Sequence, residues 1–397
     1  MKVIERSTCR VSQGKLWDVL DLGNMPVSCF PLPQDPDPER HPLQLALCKE
    51  SGLVQLRHSV DADELYRHYW YVSGINASMQ CALKSIVDQA LRRKKVTRGD
   101  VVLDIACNDG TLLSFYPEYL VRVGIDPAKN IKPKACDVHA NTYFSEGVYK
   151  GAMRDKKADI VTSIAVFYDL EDPLQFSRDV REILSEEGLW IIELSYLPAM
   201  LKNYSFDTIC AEHLEYYSLR SIEYILDKSG LEVEDVECNG VNGGSFRLYI
   251  RHAGKGRETA AVREMRAQEE REGLCDVETY RRFARQIEQN KLEALSFLRG
   301  KKVIGYGAST KGNTILAYCG IGPELLPFIA DRNPLKWGRQ TVTRIPIISE
   351  EEARRLHPDY FLAFPHHFME EFLKREEAFI KKGGQFISLI PRLRVFP

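Results

Sequence analysis

Val101-Val102-Leu103-Asp104-Ile105-Ala106-Cys107-Asn108-Asp109-Gly110-Thr111-Leu112-Leu113 reads as an apolar strand that runs into a polar turn and then a helix. A strand apolar on both faces belongs inside a parallel sheet, and its carboxyl end is where such sheets carry ligands. Gly110 permits close backbone approach, and the helix start offers N–H groups without intrahelical partners. Further out, apolar runs at 120–125, 158–164 and 189–194 alternate with amphipathic stretches, of which 176–184 is helical. This alternation predicts a mostly parallel sheet covered by helices on both faces, a Rossmann-like α/β unit. Two more runs, 231–238 and 245–251, flank Asn239-Gly240-Val241-Asn242-Gly243-Gly244, whose turn residues predict an antiparallel pair at the end of that sheet.

The flanking segments differ. Residues 1–75 carry short alternations around the proline-rich stretch 31–42 and predict a small, loop-rich module. Helical spacing of Met79, Leu83, Ile86, Val87, Ala90 and Leu91, closed by the basic run 92–95, opens a central domain over 76–255. Residues 256–397 combine a long charged helical connector, with Tyr280, Phe283, Ile287, Leu295 and Leu298 on one face, and a smaller C-terminal α/β domain. The strands expected there are 302–305, 326–330, 345–348, 360–364 and 385–389.

The 397 residues are 44% hydrophobic and 28% charged, ample for sizeable cores in two or three domains. With 54 Lys and Arg against 56 Asp and Glu, the net charge of -2 argues against nucleic acid or an anionic membrane and leaves a small molecule as the expected partner. No run approaches the roughly 18 apolar residues of a membrane span, and the N-terminus lacks the apolar core of a signal peptide. Ten scattered cysteines suit a reducing compartment. The expectation is a cytoplasmic protein, monomeric or homodimeric.

The turn also selects the ligand. Asp126, after the second strand, is placed to accept both hydroxyls of a ribose. A pyrophosphate binder needs G-x-G-x-x-G, whereas this turn has only Gly110, beside the acceptors Asn108 and Asp109 that suit an ammonium group. The expected cofactor is therefore S-adenosylmethionine, held by Asp104, Cys107, Asn108, Asp109, Gly110 and Asp126. The plainer alternative makes Asp104 and Asn108 turn caps and Asp126 the start of an Asp-Pro turn.

Six motifs then occur in one order: Y-W-Y-V-S-G-I-N at 69–76, N-D-G-T-L-L at 108–113, G-I-D-P at 124–127, F-D-T-I-C-A-E-H-L-E-Y-Y-S at 206–218, N-G-G-S-F-R at 242–247 and G-Y-G-A-S-T-K-G at 305–312. Together they closely resemble the sugar C-methyltransferases of deoxysugar biosynthesis, a group that includes the tetronitrose, mycarose and noviose C-methyltransferases. The resemblance implies an N-terminal zinc-binding module, a central adenosylmethionine domain, and a C-terminal domain that helps hold a nucleoside-diphosphate sugar. It implies methylation of carbon 3 beside a 4-keto group: the ketone acidifies the C–H, a base removes the proton, and the enolate takes the methyl group without need of a metal. On the matching positions His213 becomes the base, with a near-neutral titration, and Glu212 its orienting neighbour. Tyr69, Tyr71 and Tyr216 become candidate phenols, and Ser73 joins the cofactor set. Asn242, Arg247, Tyr306, Ser309 and Lys311 become the acceptor set, with Lys311 as counter-charge to a diphosphate. For the pair Glu212 and His213 the bland alternative is a helix-start pair, and for the tyrosines core packing.

Three departures bear on this. The zinc module's two C-x-x-C pairs stand here as Cys9-Arg10-Val11-Ser12 and Cys48-Lys49-Glu50-Ser51, and two thiolates do not complete a tetrahedral site, so no structural zinc is expected. Y-H-E-H of the better-known members is Cys210-Ala211-Glu212-His213, which replaces a phenol with a weak thiol donor. A histidine after the fourth strand is Val166, leaving Tyr168, Tyr216 or Tyr217 as substitutes for the phenol. These departures keep two alternatives open: a non-catalytic binder of nucleotide sugars or adenosyl ligands, and a methyltransferase acting on a hydroxyl or a non-sugar carbonyl.

Overall fold

The computed structural model describes residues 3–67, 72–75 and 77–397. Its N-terminal part is more regular than a loop-rich module. Strands β1 (Val3–Glu5) and β5 (His58–Val60) pair antiparallel, while β2 (Leu16–Pro26), β3 (Arg40–Cys48) and β4 (Val54–Leu56) form an antiparallel sheet. Register shifts between Asp18 and Leu20 and between Asp21 and Asn24 break the alternation of β2, which hides a long strand from a period-2 reading.

Cys9, Ser12, Cys48 and Ser51 do converge at one corner of this sheet. Cys9 Sγ lies 3.4 Å from Ser51 Oγ, and Ser12 Oγ lies 3.3 Å from Cys48 Sγ. Two thiols and two neutral hydroxyls, already partnered with each other, do not fit a structural zinc. Among the described residues no group of three or more His, Cys, Asp or Glu is placed to hold a metal. Restoring both thiols in a Ser12→Cys/Ser51→Cys variant is expected to create the site. Elemental analysis after zinc loading and desalting should then return about one equivalent for the variant and none for the parent.

The central sheet runs β12-β13-β10-β9-β6-β7-β8. Its strands are β6 (Val101–Ile105), β7 (Val121–Ile125), β8 (Val138–Ala140), β9 (Ala158–Ile164), β10 (Leu184–Ser195), β12 (Leu231–Asn239) and β13 (Ser245–His252). Between β10 and β12 in sequence, β11 (Glu215–Tyr216) leaves this sheet and pairs with β4 as the fourth strand of the N-terminal one. Strands β8 to β10 in spatial order are parallel, and β13 is antiparallel to both β10 and β12, as the turn at 239–244 implied. Alternate residues feed two cores. Leu103, Ile105, Val123, Trp190 and Ile192 face the helices Pro173–Ile183 and Leu219–Asp227, and Val102, Ile160, Leu189 and Ile191 face the helix Ala77–Arg93. Each fully buried branched or aromatic side chain contributes about 1.5–3 kcal/mol. The chain reverses its spatial order at β6, between β7 and β9, so a crevice opens at the carboxyl ends of these strands.

The connector is two helices, Ala260–Glu272 and Val277–Leu298, broken where Gly273 takes a left-handed φ of 66°. The second helix buries Tyr280, Phe283, Ile287 and Leu298 in a core shared with Leu20 and Leu45 of the N-terminal sheet and with Val303 and Leu362. The last sheet runs β16-β15-β14-β17-β18-β19, from β14 (Val303–Tyr306), β15 (Ile329–Asp331), β16 (Ile347–Ser349), β17 (Tyr360–Ala363), β18 (Gln385–Ser388) and β19 (Arg394–Phe396). It is parallel except for β19.

Candidate active site

A cleft of about 540 Å³ lies at the carboxyl ends of the central strands, and Cys210, Glu212, His213, Thr310 and Lys311 are among the residues that line it. Its floor is the turn after β6. Gly110 adopts φ 76°, and a Cβ there would meet Lys134 N and Pro133 Cβ at 3.1 Å, so the turn needs glycine twice over. Asp109 accepts hydrogen bonds from Thr111 N (3.2 Å), Thr111 Oγ1 (2.7 Å) and Gly74 N (3.0 Å). Asn108 Oδ1 accepts from Ser73 N (3.0 Å), which ties residues 72–75 across the turn. Ser73, Asp104, Cys107, Asn108 and Asp126 line the cleft; Asp109 and Gly110 are not among its lining residues and build the turn beneath it.

Two carboxylates face the crevice. Asp126 accepts from Asn108 N through Oδ2 and from Ala128 N through Oδ1, both at 2.8 Å, and each oxygen keeps a further lone pair. Asp104 accepts from Thr162 Oγ1 at 2.6 Å, and burial raises its carboxyl to about 7. Beneath them the missing side chain of Gly124 makes room for two sulfurs. An ideal Cβ there would lie 2.6 Å from Cys136 Sγ and 2.7 Å from Cys107 Sγ. The bond to Cys136 and then burial push the Cys107 thiol up, so it serves as an apolar wall rather than a nucleophile.

His213 also lines the cleft, its ring 4.3 Å from that of Tyr168. Its Nδ1 lies 2.8 Å from Thr208 O. A carbonyl only accepts, so Nδ1 carries the hydrogen and Nε2 keeps a lone pair. The near-neutral titration expected from sequence is corrected here: burial lowers the imidazole to about 4, leaving it a neutral base across the physiological range. Leu214 N, next in the chain, donates to Tyr168 O at 2.7 Å and so fixes the segment against the end of β9. Glu212, Cys210 and Val166 also line the cleft. Tyr216 and Tyr217 do not, because at and just after β11 they turn into the cores. Tyr69 and Tyr71 lie outside the described residues.

The acceptor set divides. Asn242 and Lys311 line the cleft and bond each other, Lys311 Nζ donating to Asn242 O at 2.8 Å. Arg247, Tyr306 and Ser309 are not brought to it. Arg247 is buried and pairs through Nε with Glu193 Oε2 at 2.7 Å, so its charge is already spent behind the wall that Glu193 lines. Tyr306 packs edge-on against Phe361, Phe372 and Phe386 and donates to Glu376 Oε1 at 2.7 Å. Ser309 caps the helix Thr310–Cys319, accepting from Gly312 N at 3.0 Å.

Comparison with known proteins converges on one class. Residues 75–236 match the family described as "Methyltransferase domain", 240–391 that described as "C-methyltransferase C-terminal domain", and 9–66 that described as "Putative zinc binding domain". The C-methyltransferase NovU of Streptomyces niveus is 34% identical over 98% of this chain and 96% of its own length. The chain belongs to the C-methyltransferase family. Two solved structures that match are an S-adenosylmethionine-dependent methyltransferase from Clostridium acetobutylicum (13% identity, TM-score 0.33, 46% of this chain and 94% of the other) and magnesium protoporphyrin IX methyltransferase from Synechocystis (12%, 0.33, 44% and 79%).

This C-methyltransferase uses S-adenosylmethionine, and its residues fit that cofactor: a partly protonated acid, a second acid with free lone pairs, and an apolar wall share one crevice. Thr162 escaped the sequence reading, whereas Tyr168, one of the three substitute phenols, is the one that lines the cleft. Thr162 pairs in register with Asp104 across β9 and β6, and a hydroxyl residue in the strand predicted beside a strand-borne aspartate was the available signal. Among the described residues no helix is long and apolar enough to cross a membrane.

Proposed function

We propose that this C-methyltransferase methylates carbon 3 of a nucleotide-linked 4-keto-deoxysugar through an enolate. The observation that carries the reading is the His213 tautomer: hydrogen on Nδ1, held by Thr208 O, and a lone pair on Nε2 in the cleft that the cofactor turn also lines. A neutral imidazole so fixed is suited to removing a proton from carbon. Asp126 would accept the ribose hydroxyls of the cofactor, Asp104 and Asn108 would receive its ammonium group, and Lys311 with Asn242 would meet the acceptor's diphosphate. Incubation with S-adenosylmethionine and a panel of nucleoside-diphosphate 4-keto-6-deoxyhexoses tests the reading, with carbon NMR on the product. A methyl group on carbon beside the ketone is the expected result, and a methyl ether would replace this reading with O-methylation.

Asp104 makes cofactor affinity pH-dependent. Its carboxyl sits near 7 in the ligand-free protein, above an ordinary aspartate, so at lower pH it holds a proton that a bound cation must displace. The affinity for S-adenosylmethionine is expected to fall by up to about tenfold per pH unit below 7. Calorimetry at pH 6 in buffers of different ionisation enthalpy should register proton release, and a flat profile from pH 5 to 8 would remove Asp104 from cation binding.

A further inference from the structure

Beside His213 the cleft wall carries two acids that the base does not use. Asp169 and Glu212 both line the cleft, and Asp169 Oδ1 and Glu212 Oε2 are buried atoms without a hydrogen-bond partner among the described residues. Tyr66 joins them: its hydroxyl donates to Glu212 O at 2.7 Å. Proton abstraction beside a ketone leaves charge on the carbonyl oxygen, and an enolate needs a donor there. Tyr216 and Tyr217 are turned into the cores, and the Cys210 thiol is a weak donor.

We propose that Asp169 is the acid that donates to the acceptor's carbonyl oxygen while His213 takes the proton from the adjacent carbon. The step balances. The C–H pair becomes the C=C bond of the enol, the Asp169 proton moves to oxygen, and His213 Nε2 holds the carbon-derived proton. When the enol carbon bonds the methyl group, the S–CH3 pair stays on sulfur, the ketone reforms, and the oxygen's proton returns to Asp169.

The surroundings keep Asp169 protonated. Burial raises its carboxyl well above the ordinary range, and the charges of Glu212 and of Glu215, on β11, add to this. Tyr66 opposes them, and the Arg10 guanidinium is engaged with Glu215 at 3.4 Å. Burial raises Glu212 as well, so the two acids titrate as a pair.

This role rests on the enolate reading above, and the test separates the two. Infrared difference spectra of the full chain at pH 7 are expected to show a protonated-carboxyl C=O band that Asp169→Asn removes and Glu212→Gln keeps. In D2O, with S-adenosylhomocysteine and the nucleoside-diphosphate 4-keto-6-deoxyhexose that the enzyme methylates, the parent should exchange the proton beside the ketone. Asp169→Asn should slow that exchange by about 100-fold, with S-adenosylhomocysteine affinity unchanged. Glu212→Gln removes a like charge and should move the basic limb of the exchange profile to lower pH. That limb decides the matter even if Asp169→Asn does not fold, and an unmoved limb in Glu212→Gln overturns the proposal. No band in the parent, a band lost in Glu212→Gln rather than Asp169→Asn, or parent-rate exchange in Asp169→Asn overturns the proposal. A parent that transfers methyl groups but exchanges no proton overturns the enolate reading itself.

Discussion

His213→Ala is expected to lower methyl transfer by about 10²–10⁴-fold while S-adenosylmethionine binds as before. The expectation follows from its supports: the imidazole is held by Thr208 O and the Tyr168 ring rather than by the cofactor turn. His213→Asn isolates the base from its support, because the amide retains a donor for Thr208 O but has no basic nitrogen. Both variants should therefore be inactive, and the asparagine variant should melt close to the parent. Since burial places the imidazole near 4, the parent rate should show no histidine limb between pH 6 and 8. Methyl transfer at the parent rate in either variant would exclude His213 as the base.

Asp126→Ala should weaken S-adenosylmethionine and its demethylated product by about 100-fold, since each hydrogen bond to a charged acceptor is worth about 1.5–3 kcal/mol. Part of the loss is indirect. Asp126 also accepts from the backbone of Asn108 and Ala128, so its removal loosens the turn that carries Asn108 and Cys107. Calorimetric titration with both compounds measures the sum. An unchanged dissociation constant would mean that the ribose lies elsewhere and that Asp126 serves the Asp-Pro turn alone.

Residues 101–113 disclosed the central sheet because fully buried parallel strands are written as continuous apolar runs, a pattern that survives without tertiary information. Strand β2 carries the opposite lesson, since its bulges and one solvated face leave no simple period. Within the site, Asp104, Asn108, Asp126 and His213 were legible because each follows a recognisable strand or motif. The roles given to Tyr306 and Arg247 were not, because the direction of a side chain depends on its partners, here Glu376 and Glu193, which lie 70 and 54 residues away. The acidity of His213 belongs to the same class, because it depends on how many distant segments close over the ring.

His213 stands two residues before β11, which is stitched to β4, and Leu56 N donates to Leu214 O at 2.8 Å. His213 is thus suspended from a sheet that begins near the start of the chain. A chimaera that exchanged the first sixty or so residues for those of a relative would retune the spacing between His213 and the turn after β6 even if every part folded. What the N-terminal part supplies is a register with the segment that carries His213, a fixed dimension of the enzyme.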